Sequence, residues 1–322
     1  MVHPQRSGFT LVELLVTLGV IGLLLSLLLT GIQSARSAAR RTQCLNNIRQ
    51  MALACHSFEA AHNTFPRTVD GIDGNRGNIA ESLSPHAGLL PHLDQRPLFD
   101  SLMLPDDPQG LSEPPSSSKN SHALAAFVPV FVCPSDGLAT GGATNYRACM
   151  GIGPGIHSGN GWEYGNGSGI WRAWRKRRAA EVTDGLSNTV LFGEKLTGDR
   201  DAEEYTPWRD MARLHLNFVT IAETETACNV VGSVPAEHRS YGGATWLFGG
   251  FQATWYNHIL PPNAQIPDCG GLRGAFAARS FHPGGVNITF ADGSGRFVSE
   301  QIDLAVWRSI ATRHRGEVLS AF

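Results

Sequence analysis

The sequence predicts an α+β protein in which one long N-terminal helix, transmembrane then amphipathic, packs on an antiparallel β-sheet with large loop insertions. Three observations predict it. From Leu14 to Ile32 the chain runs 19 residues without a charge, and no proline occurs between Pro4 and Pro66, so one helix can continue to about His62. Past the uncharged run, Ala38, Leu45, Ile48, Ala52, Cys55 and Phe58 form an apolar stripe at three-to-four spacing, a face that wants a sheet to lie on. After Pro66 short apolar runs are cut by turn residues, with 36 glycines and 18 prolines in 322 residues. That texture belongs to a loop-rich β domain.

The uncharged run is long enough, at ~1.5 Å per residue, to cross a hydrocarbon layer of ~30 Å. Glu13 stands at its entrance. A carboxylate left unpaired at mid-bilayer costs about 2.5–3.5 kcal/mol, so Glu13 needs a cationic partner. Gly8-Phe9-Thr10-Leu11-Val12-Glu13 followed by an apolar helix resembles the N-terminal signature of type IV pilins and type II secretion pseudopilins. The resemblance implies that prepilin peptidase cuts after Gly8 and methylates the new terminus at Phe9. Before cutting, the Phe9 nitrogen is a neutral amide; afterwards it is a cationic amine one helical turn from Glu13. In a staggered bundle the amine of one subunit can meet Glu13 of its neighbour inside lipid, where a pair is directional and an unpaired charge is expensive. Glu13 is therefore the expected assembly residue.

An ordinary signal peptide or simple anchor is the alternative. Against it, the apolar core exceeds the roughly 7–15 residues of a secretory core, carries a Glu at its edge and is followed by no clean Ala-x-Ala ending. A plain positive-inside count points the other way for topology, because Arg36, Arg40 and Arg41 follow the helix while only Arg6 and the amino terminus precede it. Long domains translocate largely regardless of charge, so the motif is followed. The expected organisation is a prepilin leader peptide at 1–8, a transmembrane helix at 9–32, its amphipathic extension at 33–63, and an exported β-rich globular domain at 64–322. This places a single-pass protein in the inner membrane with its domain in the periplasm or at the cell surface. Its partners are prepilin peptidase, other pilin-like subunits and membrane lipid.

Net charge is −2 and charged residues make up 17%, so no bulk electrostatic case exists for nucleic acid. The cysteines are Cys44, Cys55, Cys133, Cys149, Cys228 and Cys269, with no C-x-x-C, which removes zinc-ribbon and thioredoxin spacings. Cys44 and Cys55 lie on one helix about 16 Å apart, too far to bond each other. Of the 15 full pairings open to six cysteines, Cys228 with Cys269 is the expected disulfide, and the others are expected as free buried thiols.

Along the domain, Leu89 to Leu102 predicts one or two short helices around Pro91, and residues 105–121 a polar loop. Phe127 to Cys133, Thr189 to Gly193 and Thr245 to Phe251 predict strands, the first at an edge or bulge because of Pro129. The stretch Gly151 to Gly169, with eight glycines, predicts a long excursion. Val286–Phe290 and Arg296–Ser299, joined by Ala291-Asp292-Gly293-Ser294-Gly295, predict a β-hairpin. A final helix is predicted from Ile302 to Arg313, led by Asp303 and presenting Leu304, Trp307 and Ile310 to the core.

His282-Pro-Gly-Gly, then nine residues after His282 the pair Asp292-Gly293, resembles the H-x9-DG signature of the large bacterial family called domain of unknown function 1559. Further blocks fit the same family: Leu45-Asn46-Asn47-Ile48-Arg49-Gln50 leading to Phe65-Pro66, Leu89-Leu90-Pro91 to Leu98, Cys133-Pro134-Ser135-Asp136, Thr183-Asp184-Gly185-Leu186-Ser187-Asn188-Thr189 to Glu194, and Gly316-Glu317. What the resemblance implies is a pilin-like surface protein, more an architecture than a mechanism.

His282 with Asp292 reads either as an enzymic or metal pair or as turn chemistry, Asp-Gly at a hairpin tip and a His fixing a corner. The turn reading is preferred, since no nearby spacing supplies a nucleophile with orienting partners. Asp184 and Asn188 have the same two readings, and an Asx-type turn is preferred. No cofactor is expected; a calcium site, implied by the likeness to pseudopilins, would draw on Asp292, Asp184 and Asp136, but no D-x-[DN]-x-[DN]-G loop occurs. Trp171, Arg172, Trp174, Arg175, Lys176, Arg177 and Arg178 form a basic, aromatic-flanked run, read as a solvated face neutralised by Asp199, Asp201, Glu203 and Glu204. There is no GxGxxG, Walker A loop, HExxH or G-x-S-x-G. The reading is of a structural subunit and not an enzyme, the alternative being a membrane-anchored exported binding or enzymatic domain using His282 and Asp292.

Overall fold

The computed structural model describes residues 11–66, 83–102, 120–153, 156–158, 161–163, 168–172, 176–214, 220–231, 237–271 and 274–316. The chain divides into two compact units, Met1–Thr42 and Gln43–Phe322. Helix α1 is Leu11–His62, 52 residues, with Glu13 in its first turn, or about 78 Å of helix. Its apolar run stays exposed in the first unit, Leu14 at 54% and Leu28 at 59%. The few polar side chains there bond inward: Thr17, Ser26 and Thr30 hydroxyls donate to the carbonyls of Leu14, Leu23 and Leu27 at 2.7–2.9 Å. Such a segment presents no unsatisfied group to hydrocarbon. The helix stops where Asn63 takes a left-handed φ of 54°, an Asn end before Pro66.

In the second unit the same helix buries Cys44, Ile48, Met51, Ala52, Ala54 and Cys55. Leu45 and Phe58 of the expected stripe are half-buried and Ala38 is exposed. The described elements that follow are α2 (Pro85–Leu89), α3 (Arg96–Asp100), α4 (Ser121–Ala125), β1 (Tyr146–Cys149), β2 (Ile156–Ser158), β3 (Gly161–Glu163), β4 (Val190–Glu194), β5 (Met211–Arg213), α5 (Ile221–Val230), β6 (His238–Arg239), β7 (Trp255–Tyr256), β8 (Asp268–Gly270), β9 (Gly274–Ala275), β10 (Gly285–Phe290), β11 (Gly295–Ser299) and α6 (Leu304–Ser309). The main sheet runs β11-β10-β4-β1-β7, a second runs β6-β5-β8-β9, and β2 pairs with β3. The main sheet is antiparallel except at its edge, where the two-residue β7 joins β1 in parallel; β5 and β8 are also parallel. Trp246, Trp255 and Trp307 are fully buried around it.

Two predicted strands are not strands. Phe127 to Cys133 contains a 3-10 turn at Pro129–Phe131, since a proline that cannot donate to a ladder suits a first helical position. Thr245 to Phe251 makes one bridge, Leu83 to Phe248, and then Gly250, at φ 129°, turns the chain so that its carbonyl accepts from Ala253, Thr254 and Trp255. The final helix is shorter than predicted. Asp303 caps it, accepting from Ala305 N at 2.9 Å and Val306 N at 3.0 Å, and Trp307 donates its indole N–H to Leu260 O at 2.8 Å.

Two buried histidines set an acid limit. His86 faces Tyr146 O at 2.7 Å, and His258 stacks on Trp307 with 3.5 Å between centroids while bonding its carbonyl at 2.6 Å. Burial pushes them down to about 4 and about 3 respectively. The unfolded chain, with imidazoles near ~6.5, binds more protons between those values, so their contribution is present above pH ~6.5 and is lost as pH falls from there toward ~3. Urea unfolding of the detergent-solubilised protein is expected to show a lower midpoint at pH 4.5 than at pH 7, corresponding to an unfolding free energy smaller by several kcal/mol in sum. An unchanged midpoint would refute the neutral assignment.

Candidate functional site

Pairing of β4 with β10 places Gly193 opposite Ile288, which brings the next residue, Glu194, to the mouth of the hairpin. Glu194 is 1% exposed. Its carboxylate accepts from the Asn287 backbone N–H at 2.7 Å, from Asn287 Nδ2 at 2.8 Å and from His282 Nε2 at 3.2 Å. A carboxylate accepts only, so His282 carries its proton on Nε2. The same Nε2 lies 3.6 Å from Cys133 Sγ, and Cys133 is disulfide-bonded to Cys44 of α1 with 5.0 Å between Cα atoms. Four of the blocks singled out in the sequence thus meet at one buried point: the α1 extension, Cys133-Pro134, Glu194 and His282.

The expectation of free thiols fails for Cys44 and Cys133, because Cys44 lies on the buried face of α1 and the turn at Pro129–Phe131 delivers Cys133 to it. Cys228 and Cys269 are also bonded, 5.4 Å apart at Cα. Cys55 and Cys149 are free and buried, and burial raises both thiols, Cys149 to about 12, so they stay protonated.

His282 and Asp292 are not brought together. They flank β10 at opposite ends, with about 17 Å of strand between. Asp292 folds over the hairpin tip and accepts from Ser294 N at 2.8 Å. Gly293 takes φ 85°, and a Cβ there would meet the His56 ring at 3.3 Å; at Gly295 it would meet Arg49 Nε at 2.7 Å, where Arg49 donates to Gly295 O at 2.8 Å. The tip is thus a docking surface for α1, which is why it needs glycine.

Asp184 is a clamp on the C-terminal segment. Its carboxylate accepts from Arg315 N at 2.9 Å and Gly316 N at 2.8 Å, its own N–H donates to Arg313 O at 3.1 Å, and Asn188 Nδ2 closes the turn on Asp184 O at 3.0 Å. Leu186 O accepts from Asp292 N at 3.0 Å, joining this turn to the hairpin tip. Asp136 pairs with Arg209 at 2.6 Å, so the three carboxylates considered for calcium serve separate networks.

The ligand atoms of Cys44, Cys133, Glu194 and His282 lie within 4.8 Å of one another, but the disulfide removes both sulfurs from any donor set. The adjoining crevice, which reaches Ser135, Asp136 and Phe281, has room of about 10 Å³, one water at most.

Within the basic run, the described Arg177 and Arg178 are met by Glu181, three to four residues on. Arg177 is buried and pairs with Glu181 at 2.9 Å, and the Arg178 N–H donates to the same carboxylate at 3.1 Å; first that N–H and then Arg177 hold Glu181 below the ordinary carboxylate range. Trp171 is core, donating to Leu191 O at 2.7 Å. Asp199 and Asp201 instead cap their own loop, on Thr206 Oγ1 and on the N–H groups of Glu203 and Glu204. Trp174 and Arg175, like Gly8, Phe9 and Glu317, lie outside the described residues.

A family described as "Protein of unknown function (DUF1559)" matches residues 33–305. The chain belongs to the DUF1559 family. The prokaryotic N-terminal methylation motif matches residues 4–29, so this DUF1559 chain joins a prepilin-type start to that domain. It is similar to "Type II secretion system core protein G" of Pseudomonas aeruginosa, 29% identical over 73 residues, 23% of this chain and 51% of that protein. It is likewise similar to the protein of the same description from Aeromonas hydrophila, 28% identical over 73 residues with the same coverage. The chain spans about half the length of the curated relatives it matches. No solved structure matches it. The apolar helix and the methylation motif mark a membrane-anchored protein with an exported domain.

Sequence reasoning named His282 and ended a block on Glu194 without joining them, and it missed Asn287. Nothing local marked Asn287, which shares the polar alternate face of β10 with Thr289; that this face is buried is decided by the structure. Replacing Cys44 by Ser, which opens a link across 89 residues, is expected to cost roughly 2–5 kcal/mol in urea unfolding. Glu194→Ala leaves His282 and Asn287 donors buried without an acceptor and is expected to cost about 2–4 kcal/mol; a change below ~0.5 kcal/mol in either would show that the junction is dispensable.

Proposed function

We propose that this protein is a pilin-like structural subunit. Prepilin peptidase removes residues 1–8 and methylates Phe9, and the helix then assembles the subunit into a pseudopilus or surface filament. The chain crosses the inner membrane once and carries its domain in the periplasm or at the cell surface. The observation that carries the reading is the methylation motif at 4–29 leading into a 52-residue helix whose apolar run is solvent-exposed. Exposed leucines over that length need lipid or other helices. The similarity to type II secretion system core protein G proteins supports the same role, and two disulfides suit an oxidising compartment.

Within this reading Glu13 is the assembly residue. Its carboxylate at the lipid boundary is stabilised by the methylated amine of a neighbouring subunit. The globular domain works as a rigid head, without cofactor or catalysis, and its buried motif residues hold it together.

Mass spectrometry of native protein is expected to find a chain starting at a methylated Phe9. Glu13→Ala is expected to leave the domain folded and abolish incorporation into filaments; a chain still starting at Met1, or filaments formed normally by the variant, would overturn the proposal.

A further inference from the structure

Next to the Glu194 junction lies a group of charges that filament assembly does not use. Lys195 pairs with Asp268, and Arg279 reaches the same carboxylate at 3.3 Å. Arg209 is matched by Asp136. Arg147 has no such match: its guanidinium is 1% exposed, it donates only to the carbonyls of Phe251 at 3.3 Å and Leu196 at 3.2 Å, and its Nε has no acceptor.

Arg147, Lys195, Arg209, Arg239 and Asp268 line one cleft. Of the four cations there, Lys195 shares the one lining carboxylate, Asp268, with Arg279, and Arg209 is met from behind by Asp136. Arg239 on β6 is exposed and forms no ion pair among the described residues. Two guanidiniums, one deep and one at the mouth, are therefore left without an ion-pair partner among the described residues; Asp268 and Asp136 act on Arg147 only from beyond ion-pair distance. Burial is the largest influence on both inner cations, pushing Arg147 down to about 10 and Lys195 down to about 7, and a counter-charge in the cleft would relieve both.

The cleft is also built to hold the inner guanidinium still. Gly243 sits at φ 68°, and a Cβ there would stand 2.7 Å from Arg147 Nη2, so the backbone closes against the fork. The free space is about 50 Å³, where one water needs about 10–15 Å³. That is the size of an ion of four or five heavy atoms.

We propose that this cleft binds a small oxyanion, a carboxylate or phosphate group held between Arg147 and Arg239. A planar guanidinium presents paired N–H donors that match two oxygens of such a group, a geometry that lysine lacks. The site gives the exported domain a ligand of its own, independent of helix assembly.

The test is isothermal titration of the full chain in detergent with sodium phosphate and, separately, sodium acetate, each against sodium chloride of equal ionic strength. At least one probe is expected to saturate a single site with a dissociation constant of about 1 mM or tighter. Arg239→Gln, an exposed change that removes no ion pair, is expected to weaken it about tenfold, and Arg147→Lys, which keeps charge but loses the fork, at least as much. Saturation by phosphate alone or by acetate alone supports the site and assigns its chemistry. Saturation by neither probe, or equal affinity in wild type and Arg239→Gln, overturns it.

Discussion

Glu194 holds three donors at a buried position, and they come from two places in the chain. Asn287 supplies two from β10 and His282 supplies one from the corner before it. An ionised carboxylate at such depth is tolerated only when its lone pairs are met. The pairing of β4 with β10, the His282 corner and the disulfide that ties Cys133 to α1 therefore constrain one another. Helix and sheet are held together by a polar junction as well as by the apolar face from Cys44 to Cys55.

The residues that looked most like chemistry turn out to be clamps between chain segments. His282 fixes the entry to the hairpin, Asp292 and Gly293 shape its tip against α1, and Asp184 with Asn188 holds the segment around Arg315 and Gly316. His282 acts through the Glu194 side chain, Asp184 and Asp292 through backbone N–H groups, Asn188 through a backbone carbonyl and Gly293 through its conformation, and partnering of this kind is what buried polar side chains commonly have. Of the cations that line the cleft beside Asp268, Arg147 and Arg239 form no ion pair among the described residues.

Helix α1 meets two different demands in one unbroken stretch. Over its first part every apolar side chain is exposed and the hydroxyls are turned back onto the helix, the condition for lying in lipid. Over its later part Cys44, Ile48, Met51, Ala52, Ala54 and Cys55 are buried in the same apolar cluster as residues of the main sheet. Asn63 then ends it in a conformation that few residues other than glycine adopt readily.

Several features were legible in the residues themselves. The long helix followed from an uncharged run and a proline-free stretch, the hairpin from alternating Val286 to Phe290 with Asp-Gly between the strands, and the α6 start from Asp303. All are decided by neighbours within a few positions, where periodicity and turn chemistry act. Local pattern misled at Phe127 to Cys133 and Thr245 to Phe251, where a proline and a glycine overrode strand-like composition, and it could not orient β7. The site was legible only in pieces. That Cys44 bonds Cys133, that His282 faces Glu194 and not Asp292, and that Arg147 bonds carbonyls and no carboxylate depend on residues 49 to 104 positions away. The apolar helix, the processing signature and the hairpin could be read from the residues alone, because short-range sterics and hydrophobicity suffice for these. Which buried charges are satisfied could be read only from the folded chain, because that depends on which distant groups are carried to the same buried place.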